Sequence, residues 1–376
     1  MNLHPCVKEK AGELTRLRQF LHRIPELSYE EYKTSRFVQE HLSALHPDLI
    51  QTLAGTGVKA VFNAGAEKTV AVRADIDALP LEERTGLPFA SMHPGCMHAC
   101  GHDGHMAAAL ALAEIVAEKR SALKTNFVFL FQPAEETIGG ADRMIKEGAL
   151  TNPWVDEIYG IHLWPGVPKA KVALKAGPLM ANMCDMNVRF QGKTAHGAAP
   201  HTGRDALLAA AHFVVAAQSI LSRSTDPLEP AVLNIGRLEA GDARNIVCGH
   251  ALIEGTVRSF SDDTAEEIKK RIKEIMAGAD RMFGTGSEYF ETMGYPALVN
   301  SPELFEKAAG LFGQEEWTPA QPVMMSEDFA YFTQATKGLF AFIGLGEGAL
   351  HSNTFDFDEE CLLSALEFYV RVCGIE

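Results

Sequence analysis

Apolar residues near the start of the chain recur at the spacing of an amphipathic helix. The first set ends before Pro25 and consists of Leu14, Leu17, Phe20 and Leu21. Ser28 and Glu31 then form the S-x-x-E pattern of a capping box, which predicts the start of a second helix. The apolar positions of that second helix are Phe37, Val38, Leu42 and Leu45. The pattern therefore predicts two consecutive helices before the first strand.

Continuous apolar runs and helical patterns alternate from there to about residue 179. Short apolar runs are typical of buried strands, and here they are VKAVFNA, TVAVRADIDAL, NFVFLFQP and EIYGIHLWP. Longer segments with helical spacing lie between them, namely GHMAAALALAEIVAEKR and GGADRMIKEGAL. This order is typical of an α/β domain with a largely parallel sheet.

The pattern changes near Gly177. Six segments then read strand, helix, strand, strand, helix, strand, and they are MCDMNVRFQG, DALLAAAHFVVAAQSIL, AVLNIGRLEA, ALIEGTVRSF, DDTAEEIKKRIKEIMAGADRMF and SEYFETMGY. That order is ferredoxin-like. After Val299 the strand LFAFIGLG and the helix DEECLLSALEFYVRVC return to the earlier pattern. We therefore predict an α/β domain with a mixed, largely parallel sheet flanked by helices over residues 1–179 and 296–376, and an inserted ferredoxin-like α+β domain over residues 180–295.

Composition and charge exclude several classes of protein. The 376 residues carry a formal net charge of −15 and no basic cluster, which argues against nucleic acid or an anionic membrane as a partner. The apolar run near residues 107–117 is too short to span a bilayer, and the first residues lack the apolar stretch of a secretion signal. Seven scattered cysteines fit a reducing compartment better than a disulfide framework. We therefore expect a cytoplasmic protein.

Candidate chemistry gathers where predicted strands end. In open α/β sheets, ligands bind beyond the carboxyl ends of the strands. The residues in that position are Asp75, Asp77, Glu135, Glu136, His162 and His351. The stretch GCMHACGHDGH, residues 95–105, directly precedes a predicted helix and adds cysteine and histidine side chains. These side chains are expected to converge on one point.

Each of these signals also has a simpler explanation. A single histidine at a strand end is usually an ordinary loop residue, and a Glu-Glu pair is usually solvated. Cys96, Cys100 and His102 resemble half of a structural zinc knot, but the chain lacks the usual second half. A catalytic thiol at Cys100 with a neighbouring histidine is a further alternative. There is no G-x-S-x-G motif and no P-loop. Taken together, the residues favour a shared metal centre.

Six motifs spread over the chain resemble those of one enzyme family. They are RADIDALP, MHACGHDGH, PAEE, GIHLWP, GKTAHGAAPH and LHSNTFDFDE. The chain is similar to the aminoacylase/carboxypeptidase family of co-catalytic metallohydrolases, and most of all to the amidohydrolase branch with hippurate hydrolases, indole-acetyl-amino-acid hydrolases and N-acetyl-diaminopimelate deacetylases. The resemblance covers nearly the whole chain. It implies a zinc-peptidase-like catalytic domain and an inserted domain that serves as a lid and in dimerisation.

The resemblance also implies a site for two divalent metal ions. Cys100 takes the bridging position that other branches give to an aspartate. His102 and Glu136 bind on one side of the cluster, and His162 and His351 supply ligands to the other. Thiolate and imidazole ligands suit zinc, cobalt or nickel, while carboxylate and imidazole also accept manganese. The ligand set therefore leaves the metal open.

Further roles carry over from the same family. Glu135 matches the catalytic carboxylate, and Asp77 is assigned with it to the catalytic group. His196 matches an inserted-domain histidine that reaches an active site across a dimer, where it would stabilise the oxyanion. Asn245 and Arg258 stand where the family has substrate-contacting residues. The chain departs from the family at RNIVCGH and GKTAH, both in the inserted domain and hence relevant to substrate preference.

These expectations describe a metal-dependent amidohydrolase that cleaves N-acyl amino acids, a small-molecule substrate, and that forms a homodimer through the inserted domain. The alternatives are a dipeptidase or carboxypeptidase with the same two-metal site, an amidase with Cys100 as nucleophile, and a non-catalytic binding protein. Asp103 is expected to cap the helix that follows it or to orient a ligand. The roles of the remaining polar residues near the site stay open: Asp75, His93, Cys96, His98 and His105.

Overall fold

The structure is a computed structural model, and it describes residues 1–375. Helices and strands alternate through most of this range. The helices are α1 (Pro5–Glu9), α2 (Ala11–His22), α3 (Tyr32–Ser43), α4 (His102–Lys119), α5 (Ala141–Lys146), α6 (Ala206–Ala217), α7 (Ser219–Arg223), α8 (Asp262–Phe283), α9 (Pro302–Ala309), α10 (Ala330–Ala335) and α11 (Glu360–Val372). The strands are β1 (Leu49–Leu53), β2 (Gly57–Phe62), β3 (Thr69–Asp75), β4 (Asn126–Gln132), β5 (Glu157–Pro165), β6 (Val172–Leu174), β7 (Gly177–Met180), β8 (Met183–Gln191), β9 (Ala195–His196), β10 (Ala231–Ala240), β11 (Ile246–Val247), β12 (His250–Ser259), β13 (Gly286–Tyr295), β14 (Leu298–Asn300), β15 (Trp317–Pro319) and β16 (Lys337–Gly346).

Contacts divide the chain into two units. The first comprises Met1–Leu179, Val299–Gln321 and Asp328–Glu376, and the second comprises Met180–Leu298 and Pro322–Glu327. The short segment Pro322–Glu327 carries no pattern that assigns it to the second unit from sequence. The roles of the units as a catalytic domain and as a lid and dimerisation domain stay predictions.

The first unit is built on an eight-stranded mixed sheet. Its order is β1-β2-β4-β3-β5-β16-β6-β15. The central strands β4, β3, β5 and β16 are parallel, whereas β1 and β2 pair antiparallel with their neighbours. Strand β6 pairs antiparallel with β16 and parallel with β15. Helix α4 is buried on nearly all sides because it packs among α2, α3, α11 and the strands. This architecture confirms the predicted fold class, a mixed and partly parallel sheet flanked by helices.

The second unit has a four-stranded antiparallel sheet in the order β10-β12-β8-β13. Side chains alternate along β8, so that Met186, Val188 and Phe190 are buried while Arg189 and Gln191 are exposed. The buried set forms a core with apolar residues of α6 and α8. The strand order matches the predicted ferredoxin-like arrangement.

Strand β8, the segment MCDMNVRFQG, is an inner strand of this sheet and offers no free edge to a second copy. β8 is paired on one side with β12 and on the other with β13, so its backbone groups are already used. The edge strands of this sheet are β10 and β13. The alternation of side chains that identifies a strand carries no information about its place in the sheet.

The predicted capping box is also wrong. Helix α3 begins at Tyr32 with Glu31 in the N-cap position, and no side chain caps it. Ser28 donates a hydrogen bond to Asp77, 2.8 Å away, and the Glu31 carboxylate accepts one from Thr56. Both side chains therefore turn toward the interior of the first unit instead of closing the helix end.

One helical stretch, Ala206–Arg223, is long and apolar enough to cross a membrane by length and composition alone, and 33% of it is buried. Most of it lies in the segment DALLAAAHFVVAAQSIL, which was predicted as a helix of the inserted domain. In the structure it is divided at Gln218 into α6 and α7. Its buried side chains, among them Phe213 and Ile220, belong to the core of the second unit. That core accounts for the apolar character of one face.

Candidate metal centre

The carboxyl ends of three neighbouring parallel strands bring predicted site residues to one edge of the large sheet. The strands lie in the order β4-β3-β5, and all three run in the same direction. Asp77 follows β3, Glu135 and Glu136 follow β4, and His162 lies near the end of β5. Separate strand ends therefore supply acidic and imidazole groups to a single place.

Two further segments complete the cluster. Cys100 and His102 lie at the start of α4, and His351 lies in the loop after β16. Gly101 adopts a φ of +89°, and a Cβ on Gly104 would lie 2.7 Å from Leu163 Cδ1. The glycines of this motif therefore allow a left-handed turn and a close approach of α4 to β5, as larger residues would not.

The predicted ligand atoms lie close together. Cys100 Sγ is 3.4 Å from His162 Nε2 and 3.3 Å from His351 Nε2. Glu136 Oε1 is 3.5 Å from His351 Nε2 and 3.8 Å from His102 Nε2. The donor atoms of Cys100, His102 and His162 lie within 4.8 Å of one another, and so do those of Cys100, Glu136 and His351. Cys100 belongs to both groups, which is compatible with a bridging role.

Among residues 1–375, two buried atoms of the predicted ligands have no hydrogen-bond partner. They are His102 Nε2 and Glu136 Oε1, which face each other. A buried polar atom without a partner is costly, and native structures rarely tolerate it without a ligand, ion or water. The donor set and this pair of orphaned atoms together fit a divalent cation.

The other ring nitrogens are fixed by hydrogen bonds. His102 Nδ1 lies 2.9 Å from the backbone oxygen of Asp77, and His162 Nδ1 lies 2.8 Å from that of Leu163. Since a carbonyl oxygen only accepts, both rings donate through Nδ1. In the neutral ring, each Nε2 therefore has its lone pair free for the cluster, the arrangement expected of a metal-ligating histidine.

The electrostatic surroundings favour positive charge. Burial opposes the charged form of His102, but the carboxylates of Asp75 and Asp77 outweigh it and raise the pKa of His102 to about 10. Burial and the negative charges of Glu136 and Glu135 hold the pKa of the Cys100 thiol well above its usual range. Burial also lowers the pKa of His162 well below its usual value. A cation at this point would offset the repulsion that keeps the thiol protonated.

A buried network behind the cluster supports His162. Asp75 lies 2.7 Å from His105 Nδ1, and His105 Nε2 accepts a hydrogen bond from the backbone of Leu163. Arg73 pairs with Asp75 at 2.7 Å and with Asp328 at 2.9 Å. The network accounts for Asp75 and His105, whose roles the sequence left open. Asp328 lies in a segment without a recognised motif, so nothing in the sequence identified it.

The loop that carries Glu135 and Glu136 is held at several backbone positions. Asp328 accepts hydrogen bonds from the backbone of Gly140 and Ala141, at 2.9 and 3.1 Å. Asp77 accepts one from the backbone of Glu136, at 3.0 Å. Asp77 therefore contacts two of the predicted ligands, because its backbone oxygen also accepts from His102.

The remaining polar residues of the GCMHACGHDGH stretch, Cys96, His98 and Asp103, are not among the predicted ligands. Asp103 does not cap α4 but pairs with Arg18 at 3.1 Å and with His22 at 2.8 Å, so its predicted capping role is wrong. Burial lowers the pKa of His98 to about 4 and raises that of Cys96 to about 11. Outside this stretch, His93 Nδ1 lies 2.6 Å from the backbone oxygen of Pro25.

The predicted inserted-domain residues lie in the second unit. The backbone of Gly197 donates to the backbone oxygen of Asn245, and His196 pairs with Ile246 in the β9-β11 ladder. His196 and Asn245 are therefore neighbours, and both are exposed. Arg258 lies on β12, with Nη1 3.4 Å from the Ser326 hydroxyl.

Comparisons with known proteins cover both units. The sequence profile of peptidase family M20/M25/M40 matches residues 71–374, a range that contains every predicted ligand. N-acetyldiaminopimelate deacetylase of Streptococcus uberis is 39% identical over 363 residues, which is 94% of this chain and 96% of the relative. N-acetyl-L-cysteine deacetylase of Bacillus subtilis is 38% identical over 373 residues, which is 98% of this chain and 88% of the relative. The Bacillus subtilis YXEP protein, a dinuclear metal binding peptidase from the M20 family, superposes with a TM-score of 0.86 and 30% identity over 98% of both chains.

Proposed function

The chain belongs to peptidase family M20/M25/M40, and on that basis we propose that it is a metal-dependent amidohydrolase. It cleaves the amide bond of an N-acyl amino acid and releases a carboxylic acid and a free amino acid. The observation that carries the proposal is the cluster around Cys100, in which His102 Nε2 and Glu136 Oε1 are buried without hydrogen-bond partners. The relatives named as deacetylases of N-acetyl amino acids support this substrate class.

Five side chains would hold two divalent cations: Cys100, His102, Glu136, His162 and His351. The solved relative described as dinuclear supports this number. The donors suit zinc, cobalt, nickel or manganese. When bound, such cations supply Lewis acidity to the amide carbonyl and lower the pKa of a water molecule. The His351 side chain is 54% exposed while those of His102 and His162 are nearly buried, so within the first unit substrate reaches the cluster from the side of His351.

The side chains around the metal ions would have separate roles in amide hydrolysis. Glu135 takes a proton from the attacking water and passes it to the departing amine. Asp77 fixes His102 and the backbone of Glu136, and so keeps two ligands in place. His196 would donate a hydrogen bond to the oxyanion, and Asn245 and Arg258 would contact the substrate.

We further propose a homodimer formed by the second unit. Helix α6 exposes Leu207, Leu208 and Val215, the last at 75%, on a face without Lys, Arg, Asp or Glu. Strand β10 is an edge of the sheet and lies in contact with α6. An exposed apolar helix face beside an open strand edge favours pairing with a second copy. Contact with a second copy would also cover the exposed apolar face of Ala206–Arg223 without a membrane.

A reducing compartment such as the cytoplasm would suit this site. All seven cysteines are free and buried. A bridging thiolate at Cys100 would be lost on oxidation.

Metal removal tests the proposed function. Extended chelation should abolish hydrolysis of a panel of N-acetyl, N-benzoyl and N-aminobenzoyl amino acids, and two equivalents of a divalent metal per chain should restore it. Dipeptides assayed beside the panel separate a dipeptidase from an acylase. Full activity of rigorously metal-free protein would contradict the proposal and favour an amidase with Cys100 as nucleophile. Binding of acyl amino acids without turnover in the metal-loaded protein would favour a binding protein.

A further inference from the structure

Glu31 is a completely buried carboxylate that the proposed chemistry leaves unused. Its exposed fraction is 0%, and it lies between α2 and α3, in the segment that was predicted to cap a helix. Among residues 1–375, no Lys, Arg or His forms an ion pair with it. A buried acid without a cationic partner is costly, so its retention calls for a role other than charge pairing.

The two oxygens of Glu31 have separate partners. Oε1 accepts a hydrogen bond from the backbone N–H of Ala134, 3.0 Å away, and Oε2 accepts one from the Thr56 hydroxyl, 2.6 Å away. Ala134 and Thr56 are themselves buried, with exposed fractions of 0% and 2%. The carboxylate therefore ties the start of the loop after β4 to the segment that precedes β2.

Ala134 is in a conformation that alanine rarely adopts. Its φ is +58°, in the left-handed region, where the Cβ of an L-residue lies too close to the following carbonyl oxygen. The turn matters because Glu135 is the next residue, and the backbone N–H of Gly139 returns to the oxygen of Ala134 at 3.0 Å. A Cβ on Gly140 would lie 2.0 Å from Pro133 O, so the two ends of the loop are pressed together. The strained residue thus lies at the point where the Glu135–Glu136 loop closes.

Two neighbours of Glu31 hold the same loop. The Tyr29 hydroxyl donates to the backbone oxygen of Gly139 at 2.9 Å. The Ser28 hydroxyl donates to Asp77 Oδ2, which in turn accepts from the backbone of Glu136 at 3.0 Å. One short segment, residues 28–31, therefore contacts the beginning and the end of the loop directly, and its middle through Asp77.

From this geometry we infer that Glu31 is a positioning residue: it holds Ala134 in its left-handed turn and thereby aims Glu135 and Glu136. The inference rests on the proposed function for the part in which Glu135 moves protons. The placement of the loop does not depend on that function. Displacement of a catalytic group by about 1 Å can cost about 100-fold in rate, so a lost anchor at this point has a measurable effect.

Four variants test the inference at saturating metal. Glu31→Ala removes both hydrogen bonds, and Glu31→Gln keeps them because the amide oxygen accepts from Ala134 while the amide nitrogen donates to Thr56. Glu30→Ala is the matched control, since Glu30 is the exposed neighbour. The double variant Glu31→Ala/Ala134→Gly gives the turn a residue that adopts positive φ without a Cβ cost.

Hydrogen exchange of the metal-free protein is the first readout. We expect amides in residues 134–140 to exchange faster in Glu31→Ala, and to exchange at the wild-type rate in Glu31→Gln and Glu30→Ala. Unchanged exchange in Glu31→Ala overturns the inference. If Glu31→Ala does not fold, Thr56→Val removes one of the two anchors and should speed exchange in the same residues. No change in that variant overturns the inference as well.

Kinetics of the metal-loaded protein are the second readout. We expect kcat of Glu31→Ala to fall by about 10–100-fold with little change in KM, kcat of Glu31→Gln to stay within about threefold of wild type, and the double variant to recover part of the loss. Equal losses in Glu31→Ala and Glu31→Gln overturn the positioning role, and equal losses in the single and double variants overturn the assignment to Ala134. A protein that hydrolyses no acyl amino acid but shows the expected exchange pattern refutes the proposed function and leaves the anchoring of the loop intact.

Discussion

Glu135 and Glu136 are adjacent in sequence but are assigned different tasks. The carboxylate of Glu136 faces His102 and His351, and its backbone N–H is held by Asp77. Glu135 follows the left-handed turn at Ala134. A carboxylate oxygen of Glu135 lies within 4.8 Å of a ring nitrogen of His102 and of a carboxylate oxygen of Glu136. At the residue scale, the predicted base and the predicted metal ligand are therefore neighbouring residues of one loop.

Substitution of each glutamate by glutamine separates these roles. Glu135→Gln should lower turnover by about 10²–10⁴-fold, the range of a lost general base, with bound metal retained. Glu136→Gln should lose metal as well, because an amide is a poorer ligand than a carboxylate. Metal content by elemental analysis beside kcat is the measurement. Near wild-type turnover in Glu135→Gln would show that another group moves the proton.

The pH dependence of stability gives a second prediction for a single residue. Burial raises the pKa of Glu31 to about 7, whereas the unfolded chain has the ordinary value of about 4.3. Between these values the folded protein binds more protons than the unfolded chain, so this carboxyl makes the free energy of unfolding fall as the pH rises. Glu31→Gln cannot ionise. The free energy of unfolding of Glu31→Gln should therefore rise relative to that of the wild type by about 2.5 kcal/mol between pH 5 and pH 8.

Chemical denaturation of the metal-free wild type and variant at both pH values measures that shift. Glu30→Gln serves as the control, since Glu30 is the exposed neighbour of Glu31 and the change of side chain is the same. A difference between Glu31→Gln and wild type that stays constant from pH 5 to pH 8 would show that Glu31 ionises at the same pH in the folded and unfolded protein.

At the scale of elements, the second unit shows which features an apolar pattern predicts and which it does not. The strands β8, β10, β12 and β13 and the helices α6 and α8 were all predicted from their own periodicity. The place of β8 in the middle of the sheet was not, because hydrogen bonding on both sides is a property of its neighbours. The exposed apolar face of α6 likewise becomes visible only when Phe213 and Ala217 are seen to fill the core.

The proposed dimer is tested on α6. Val215→Asp places a charge at the centre of the exposed apolar face, and an unpaired buried charge strongly destabilises an interface. We expect this variant to sediment with the mass of one chain and the wild type with the mass of two. Met282→Asp is the matched control, because Met282 is 67% exposed on α8. A wild type that already sediments as one chain would refute the dimer.

At the scale of the whole molecule, local motifs predicted the family, the fold class and the function, and the comparisons agree. Cys100 and His102 were found because they stand close together in an unusual glycine-rich stretch, and Glu136 and His162 because they follow apolar strands. The roles of Arg73, Asp328 and Glu31 were not predicted, for a physical reason. Each acts through partners that are distant in sequence, and a buried Arg or Glu cannot be distinguished in a sequence from a solvated one.

Subunit mixing tests whether the whole assembly is needed. If His196 acts in the partner's site, a His196→Ala chain mixed with a Glu135→Gln chain should form heterodimers with one site that holds both intact residues. Some activity should then return although each variant alone is nearly inactive. With subunit exchange demonstrated by mass, no recovery on mixing would place His196 in its own chain's site or outside the reaction.

The anchoring of the Glu135–Glu136 loop also bears on how the protein is made. The loop is fixed by Glu31 near the beginning of the chain and by Asp328 near its end, and the cluster needs His351 as well. During synthesis, a nascent chain that has not yet reached residue 351 lacks one of the proposed ligands and, before residue 328, one of the loop's anchors. An incomplete translation product would therefore contain the conspicuous cysteine-histidine motif and yet be a poor scavenger of cellular metal. High-affinity metal binding would therefore require a chain that has been synthesised past residue 351.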